Sequence, residues 1–237
     1  MFAIEAAGIL KSFGQKKVLN GIDLKIKKGS IHAVLGPNGS GKTTLIKILS
    51  TLLKADGGQI KVGGHDALEH PDKVRECISL TGQNASVDEE LTGYENLFLF
   101  ARLFGYPASE ARLRANELLS AFDLKEAGSR LVKTYSGGMR RRLDISASIV
   151  KISEILFLDE PTTGLDPRSR NSMWSVIRSL ARKGTTILLT THHGTHHAQL
   201  FSRDVLWLAY SYATGIYVQY LCRPFHHAGM AAKIHLF

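Results

Sequence analysis

The run GPNGSGKTT, residues 36 to 44, decides the fold. Gly36, Gly41, Lys42 and Thr43 stand at the defining positions of a G-x-x-x-x-G-K-[ST] phosphate loop. Glycines let backbone N–H groups turn inward around phosphate oxygens. The helix that follows such a loop points its positive N-terminus at the same anion. Lys42 adds a full charge for the β- and γ-phosphates, and the Thr43 hydroxyl can ligate Mg²⁺. The candidate phosphate-binding set is therefore Gly36, Pro37, Asn38, Gly39, Ser40, Gly41, Lys42, Thr43 and Thr44. The flanks agree. IHAVLG (31 to 36) is a short apolar run ending at a glycine, the pattern of a buried strand. KTTLIKILSTLL (42 to 53) has helical apolar spacing at Leu45, Ile48, Leu49 and Leu52.

A second site half lies far downstream. EILFLDEP (154 to 161) is an apolar strand, Ile155 to Leu158, delivering Asp159 and Glu160 at its end. Open α/β sheets bind ligands at that end of their strands. Asp159 can hold Mg²⁺ through water, and Glu160 can polarise an attacking water as general base. Asp166 and Pro167 read as a helix N-cap and first helical residue. That helix continues through RSRNSMWSVIRSLARK to Gly184, and TTILLT (185 to 190) is another buried strand.

Between the two halves the pattern changes. LTGYENLFLFARLFG opens with a capping-box pair, Thr92 and Glu95. SEARLRANELLSAF and SGGMRRRLDISASIVK read as two more helices. The first thirty residues are β-rich, with KSFGQKK and KKGS as breaks. An α/β core interrupted by a helical insert follows. In YSGGMRRRLD (135 to 144), Ser136, Gly137 and Gly138 make a second anion-binding helix start, which the same residues would also form as a plain N-cap. One triphosphate rarely needs two such ends, but two copies of the chain clamping each other's γ-phosphate would.

In this order the motifs resemble those of the nucleotide-binding subunit of an ATP-binding-cassette (ABC) transporter, over residues 1 to about 192. GPNGSGKTT resembles Walker A, ILFLDE resembles Walker B, and YSGGM is similar to the family signature. The resemblance implies a P-loop NTPase with an N-terminal antiparallel β-subdomain and a helical insert. The core would span 1–85 and 151–200, the signature subdomain 86–150 and a divergent tail 201–237. It implies that Gln83, in LTGQNAS, contacts Mg²⁺ and senses the membrane partner, and that Phe13 stacks on adenine. It implies that Asp166, in TGLDP, lies at a dimer contact and that His192 touches the γ-phosphate. QNASVDEELTGYENLFLFARLFG and SGGMRRRLDISASIV are similar to the daunorubicin-resistance subfamily, which powers ABC-2-type exporters of drugs and polyketides. ATP and Mg²⁺ would then be the small ligands. A dimer of ATPase subunits on a separate permease, at the cytoplasmic face of the membrane, would be the working form. A soluble ABC ATPase acting on ribosomes or DNA, and a non-catalytic ATP-binding module, are the alternatives.

Composition fits a globular protein of 237 residues, 44% hydrophobic and 22% charged. Its two cysteines, Cys77 and Cys222, form no disulfide framework and suit a reducing compartment. The N-terminal stretch shows no signal-peptide pattern. The net charge of +9 suggests a polyanionic partner, with clusters at residues 25 to 28 and 140 to 142. Neither cluster is interleaved with aromatics, so nucleic acid is not expected. Val205 to Cys222 carries no charge and is long enough to span a bilayer, but its tyrosines and Gly215 read better as two strands and a turn.

The cassette pattern breaks at TTHHGTHHAQ (190 to 199), after His192. Seven of ten histidines lie from 192 onward, and no glutamate follows Glu160. The expected readings are a divergent tail, a frame-shifted or misassembled one, or a new local function. His192 with His196, and His193 with His197, have helical metal-ligand spacing, but Gly194 weakens the helix and no third ligand is near.

Overall fold

A computed structural model describes residues 1–81 and 87–191, and the backbone of 205–210 and 217–222. Gln83, His192, His193, His196 and His197 lie outside the described residues. In chain order the described strands and helices are β1 (Phe2–Phe13), β2 (Lys16–Lys27), β3 (Ile31–Leu35), α1 (Lys42–Leu49), β4 (Gly57–Val62), β5 (His65–Asp66), α2 (Pro71–Cys77), β6 (Ile78–Thr81), α3 (Gly93–Leu103), α4 (Ala108–Ala121), α5 (Gly137–Ser148), β7 (Ile155–Leu158), α6 (Pro167–Arg182), β8 (Thr186–Thr191), β9 (Val205–Tyr210) and β10 (Tyr217–Cys222). Two short 3-10 turns, Lys125–Ala127 and Val132–Thr134, lead into α5.

Among the described residues the strands form two sheets, in the orders β2-β1-β4-β5 and β10-β9-β3-β8-β7-β6. The first is antiparallel. β2 alternates in burial, its isoleucines and leucines inward and its lysines outward, as a half-covered sheet requires. In the second sheet β6, β7, β8, β3 and β9 run parallel. β3, β7 and β8 are buried at every position. Both faces of this sheet are covered, which is why these strands read as unbroken apolar runs. Ile31, Ala33, Leu35, Leu156, Leu158, Ile187 and Leu189 pack with the apolar faces of α3 to α6. Val34, Ile155, Phe157 and Leu188 point the other way, into a core shared with β1, β2, β4 and α1.

The parallel order places β8 between β3 and β7. Register pairs Leu35 with Thr191 and Leu158 with Leu189, so the ends of all three strands lie together. The phosphate loop leaves β3 and the Asp159–Glu160 pair leaves β7 at that common end.

Local signals account for most helix ends. Thr92 Oγ1 accepts from the Glu95 amide at 3.1 Å and the Thr92 amide donates to Glu95 Oε2 at 2.8 Å, a complete capping box. Asp166 caps α6 by accepting from the Ser169 amide at 3.0 Å, with Pro167 next. The 205–222 stretch is the two-strand alternative, β9 and β10 pairing antiparallel. No helix among the described residues is long and apolar enough to cross a membrane. One expectation changes: α1 stops at Leu49, short of Leu52. Thr51 turns left-handed (φ 62°), and the amides of Leu52 and Leu53 both return to the Lys47 carbonyl, leaving Leu52 exposed.

The β1–β2 hairpin also fixes the phosphate loop. Gly41 has φ 91°, and a Cβ there would meet the Val18 carbonyl oxygen and Leu19 Cδ2, each at 2.9 Å. Gly41→Ala is expected to cost about 1–3 kcal/mol of stability, measured by urea unfolding, through strained backbone and a displaced hairpin. The same variant should bind ATP at least about tenfold more weakly. Wild-type values for both would show that the hairpin gives way freely.

Candidate functional site

The loop after β3 is wound for an anion. Gly39 (φ 80°) and Gly41 (φ 91°) are both left-handed, a conformation glycine adopts without steric cost. Gly41 is the N-cap of α1 and offers no side chain to the first helical amides, so those donors face the loop. Ser40 Oγ is buried with no protein partner among the described residues. Lys42 is 4% exposed, with Nζ donating to the carbonyls of Gly36 at 2.9 Å and Pro37 at 3.0 Å. Burial pulls its ammonium below the usual lysine value, against the opposing charges of Glu160 and Asp159.

A cavity of about 400 Å³ opens on this loop. Phe13, Asn38, Gly39, Gly41, Lys42, Thr43, Thr44 and Glu160 line it. Residues from the end of β1, the phosphate loop and the turn after β7 thus share one wall. Phe13 is half exposed at the end of β1, with Lys11 Nζ 5.6 Å from its ring centroid. Its ring is an apolar platform of the kind that stacks on a flat base.

Asp159 is 3% exposed and accepts from Thr43 Oγ1 at 2.8 Å and from Thr190 Oγ1 at 2.5 Å. Thr190 Oγ1 in turn accepts from the Glu160 amide at 3.0 Å. One threonine of β8 therefore orders both acids. Thr43 and Asp159 present hard oxygen donors side by side, the ligand type Mg²⁺ takes. With the buried Ser40 hydroxyl and the glycine cradle, these residues fit a metal–phosphate group. Glu160 is left-handed (φ 51°), a conformation that costs a non-glycine residue about 1–3 kcal/mol unless its surroundings enforce it. Its Oε1 lies 4.0 Å from Lys42 Nζ.

Other expected site residues lie apart. Ser136 caps α5, accepting from the Met139 amide at 3.3 Å, and neither it nor Gly137 or Gly138 lines the cavity. Asp166 does not line it either. Hydrogen bonds from the Ser169 hydroxyl and amide hold the Asp166 carboxyl below the usual aspartate range. Sequence reasoning overlooked Lys16 and Val18, which line the cavity from the start of β2, and also Thr190 and Arg141. Lys16 faces Phe13 across a tight hairpin, a pairing visible only once strand register is known. Arg141 belongs to the basic cluster at 140 to 142, which the sequence left without a site role. Arg140 donates to Glu89 and the Lys133 carbonyl, Arg142 to the Phe122 carbonyl, and Arg141 to the carbonyls of Asp159 and Glu160.

Thr190→Val keeps the shape of the β8 side chain and removes its hydroxyl. It should destabilise the protein by about 1–3 kcal/mol, because a buried carboxylate oxygen and the Glu160 amide both lose a partner. Chemical denaturation measures this, and Thr190→Ser should recover most of the loss. An unchanged midpoint in Thr190→Val would show that both groups find other partners.

The family model described as ABC transporter matches residues 19–163. The chain is 55% identical over 201 residues to the daunorubicin/doxorubicin resistance ATP-binding protein DrrA of Streptomyces peucetius, covering 85% of this chain and 61% of that protein. It is 46% identical over 206 residues to the doxorubicin resistance ATP-binding protein DrrA of Mycobacterium tuberculosis, covering 86% and 62%. The chain thus spans about three-fifths of the length of these curated relatives. Among solved structures, an ATP-binding subunit of an ABC transporter superposes with a TM-score of 0.75 at 26% identity, covering 87% of this chain and 85% of that one. A family match over more than half of the residues, on a fold that carries its phosphate loop and Glu160 to one cavity, shows that the chain belongs to the ABC transporter family as an ATP-binding domain.

Proposed function

We propose that the chain hydrolyses MgATP as the motor subunit of an ABC-2-type exporter, carrying a hydrophobic drug or antibiotic. One observation carries the hydrolytic part: Lys42 and Glu160 line one cavity, their charged groups 4.0 Å apart. A phosphate-binding cation and a carboxylate facing the same space are what attack of water on a γ-phosphate needs. The loop amides and Lys42 bind the β- and γ-phosphates, and Phe13 stacks on the adenine. Asn38, Gly39 and Thr44 close the wall. Thr43, Asp159 and Gln83 would hold Mg²⁺, which supplies neutralisation of phosphate charge. Glu160 accepts a proton from the attacking water, and His192 contacts the γ-phosphate.

A cavity open to solvent leaves the γ-phosphate without a second wall. In this reading Ser136, Gly137 and Gly138 of a second ATPase subunit provide it, with Asp166 at the contact. ATP would favour the closed dimer by bridging both faces, and hydrolysis would release it. The core (1–85 and 151–200) would bind nucleotide and the helical part (86–150) would present the signature end and dock on a separate permease. The subunit would sit at the cytoplasmic face of the membrane. Drug or antibiotic export is supported by the identity to a daunorubicin/doxorubicin resistance and a doxorubicin resistance ATP-binding protein.

Glu160→Gln is expected to lower steady-state ATP turnover by about 10²–10⁴-fold while ATP affinity stays at the wild-type value. Turnover near wild type would remove Glu160 as the base. Lys42→Ala should weaken ATP binding itself in an equilibrium titration, and unchanged affinity would sink the phosphate-loop assignment.

A further inference from the structure

Glu160 is one of three non-glycine residues with positive φ among the described residues, the others being Thr51 and Asp123. Its backbone is held from both sides. The amide donates to Thr190 Oγ1 at 3.0 Å. The carbonyl accepts from Arg141 Nη2 at 3.1 Å and from the Thr163 amide at 3.3 Å. The same Nη2 donates to the Asp159 carbonyl at 2.7 Å. The other arm of the guanidinium, Nη1, reaches Asp144 Oδ2 at 3.4 Å, one turn further along α5. The Arg141 side chain is 15% exposed and Asp144 only 2%, so the clasp is largely shielded from water. The guanidinium thereby joins α5 to the turn after β7.

The chemistry suits arginine. A planar fork can reach two adjacent carbonyls with one nitrogen while another contacts a carboxylate, an arrangement a single ammonium cannot copy. Asp144 fixes the plane of the fork, and the fork fixes the two peptide units that bracket the left-handed turn. The Asp159 carboxylate itself is held separately, by Thr43 and Thr190. Phosphate and metal binding therefore do not depend on Arg141, whereas the backbone that aims the Glu160 carboxylate into the cavity does.

We infer that Arg141 is a positioning residue for ATP hydrolysis: bound to both carbonyls of the Asp159–Glu160 step, it holds Glu160 in the left-handed conformation that points its carboxylate at the phosphate cavity. This role rests on Glu160 acting as the general base. Without the guanidinium, residue 160 relaxes toward negative φ and its side chain swings from the cavity. A displacement of about 1 Å in a reacting group costs on the order of 10²-fold in rate.

The test measures MgATP turnover and equilibrium ATP affinity for the full chain, R141A, E160Q and R141A/E160Q. R141A should lose about 10- to 100-fold in kcat. Its KM and ATP affinity should stay within about twofold of wild type. In the E160Q background, removing Arg141 should change the residual rate by less than about twofold, because the group it positions is gone. R141A takes the Arg141 guanidinium from the buried Asp144 carboxylate, so R141M/D144N, which removes both charges, is measured beside it and should show the same selective loss of kcat. Wild-type kcat in R141A or R141M/D144N overturns the inference. So does a loss that persists undiminished in the E160Q background, or an affinity that falls in step with kcat. A fully active E160Q would instead remove the general base on which the role rests, a result distinct from a silent R141A beside an impaired E160Q.

Discussion

The Asp159 carboxylate accepts two hydroxyl hydrogen bonds, from Thr43 and Thr190, and these tie together three segments that the chain keeps far apart. Thr43 lies in the first turn of the helix after β3, Asp159 directly follows β7, and Thr190 lies near the end of β8. Parallel pairing with β8 in the middle makes the meeting possible, because it sets the three strand ends side by side. A buried carboxylate without such partners would be costly, and here its hydrogen bonds hold it in one orientation beside the phosphate loop. Thr190 passes the order on, since its oxygen also receives the Glu160 amide.

Around that centre the charges are arranged as a nest of weak opposites. Lys42 sits among carbonyl oxygens of its own loop and opposite Glu160, which offset part of the cost of burying its charge while it still faces the cavity. The basic cluster at 140 to 142 is half-buried rather than a free surface patch. In the 140–142 cluster each arginine spends its donors on a different neighbour, binding α5 to the preceding loops, to the acidic pair and to the end of α4. Arginine fits this use because it remains charged and can satisfy several acceptors from one half-buried position.

The fold itself was legible where side-chain period and special residues agree. The buried runs at Ile31–Leu35, Ile155–Leu158 and 185 to 190 are strands in the structure, and the capping pairs at Thr92 and Asp166 start helices. The stretch from 54 to 81 received no assignment from sequence, yet it holds β4, β5, α2 and β6. Its elements are short, four of them within one stretch, and their stability comes from pairing with β1 and β7 rather than from local pattern. The overlong reading of α1 has a similar cause: apolar spacing continues to Leu52, but a left-handed Thr51 ends the helix.

By itself the sequence determined the phosphate loop, the acidic pair and the order of their supporting strands and helices. Each depends on residues adjacent in the chain, where glycine conformation, helix amides and a lysine act locally. Only the tertiary structure decided which distant groups converge. Strand order set Thr190 against both acids, hairpin register set Lys16 and Val18 on the cavity wall, and the placement of α5 beside the turn after β7 turned Arg141 inward. A hydroxyl in an apolar strand and one arginine among three carry no local mark of such roles. Hydrogen bonds between segments far apart in the chain have no signature until the sheet brings their ends together.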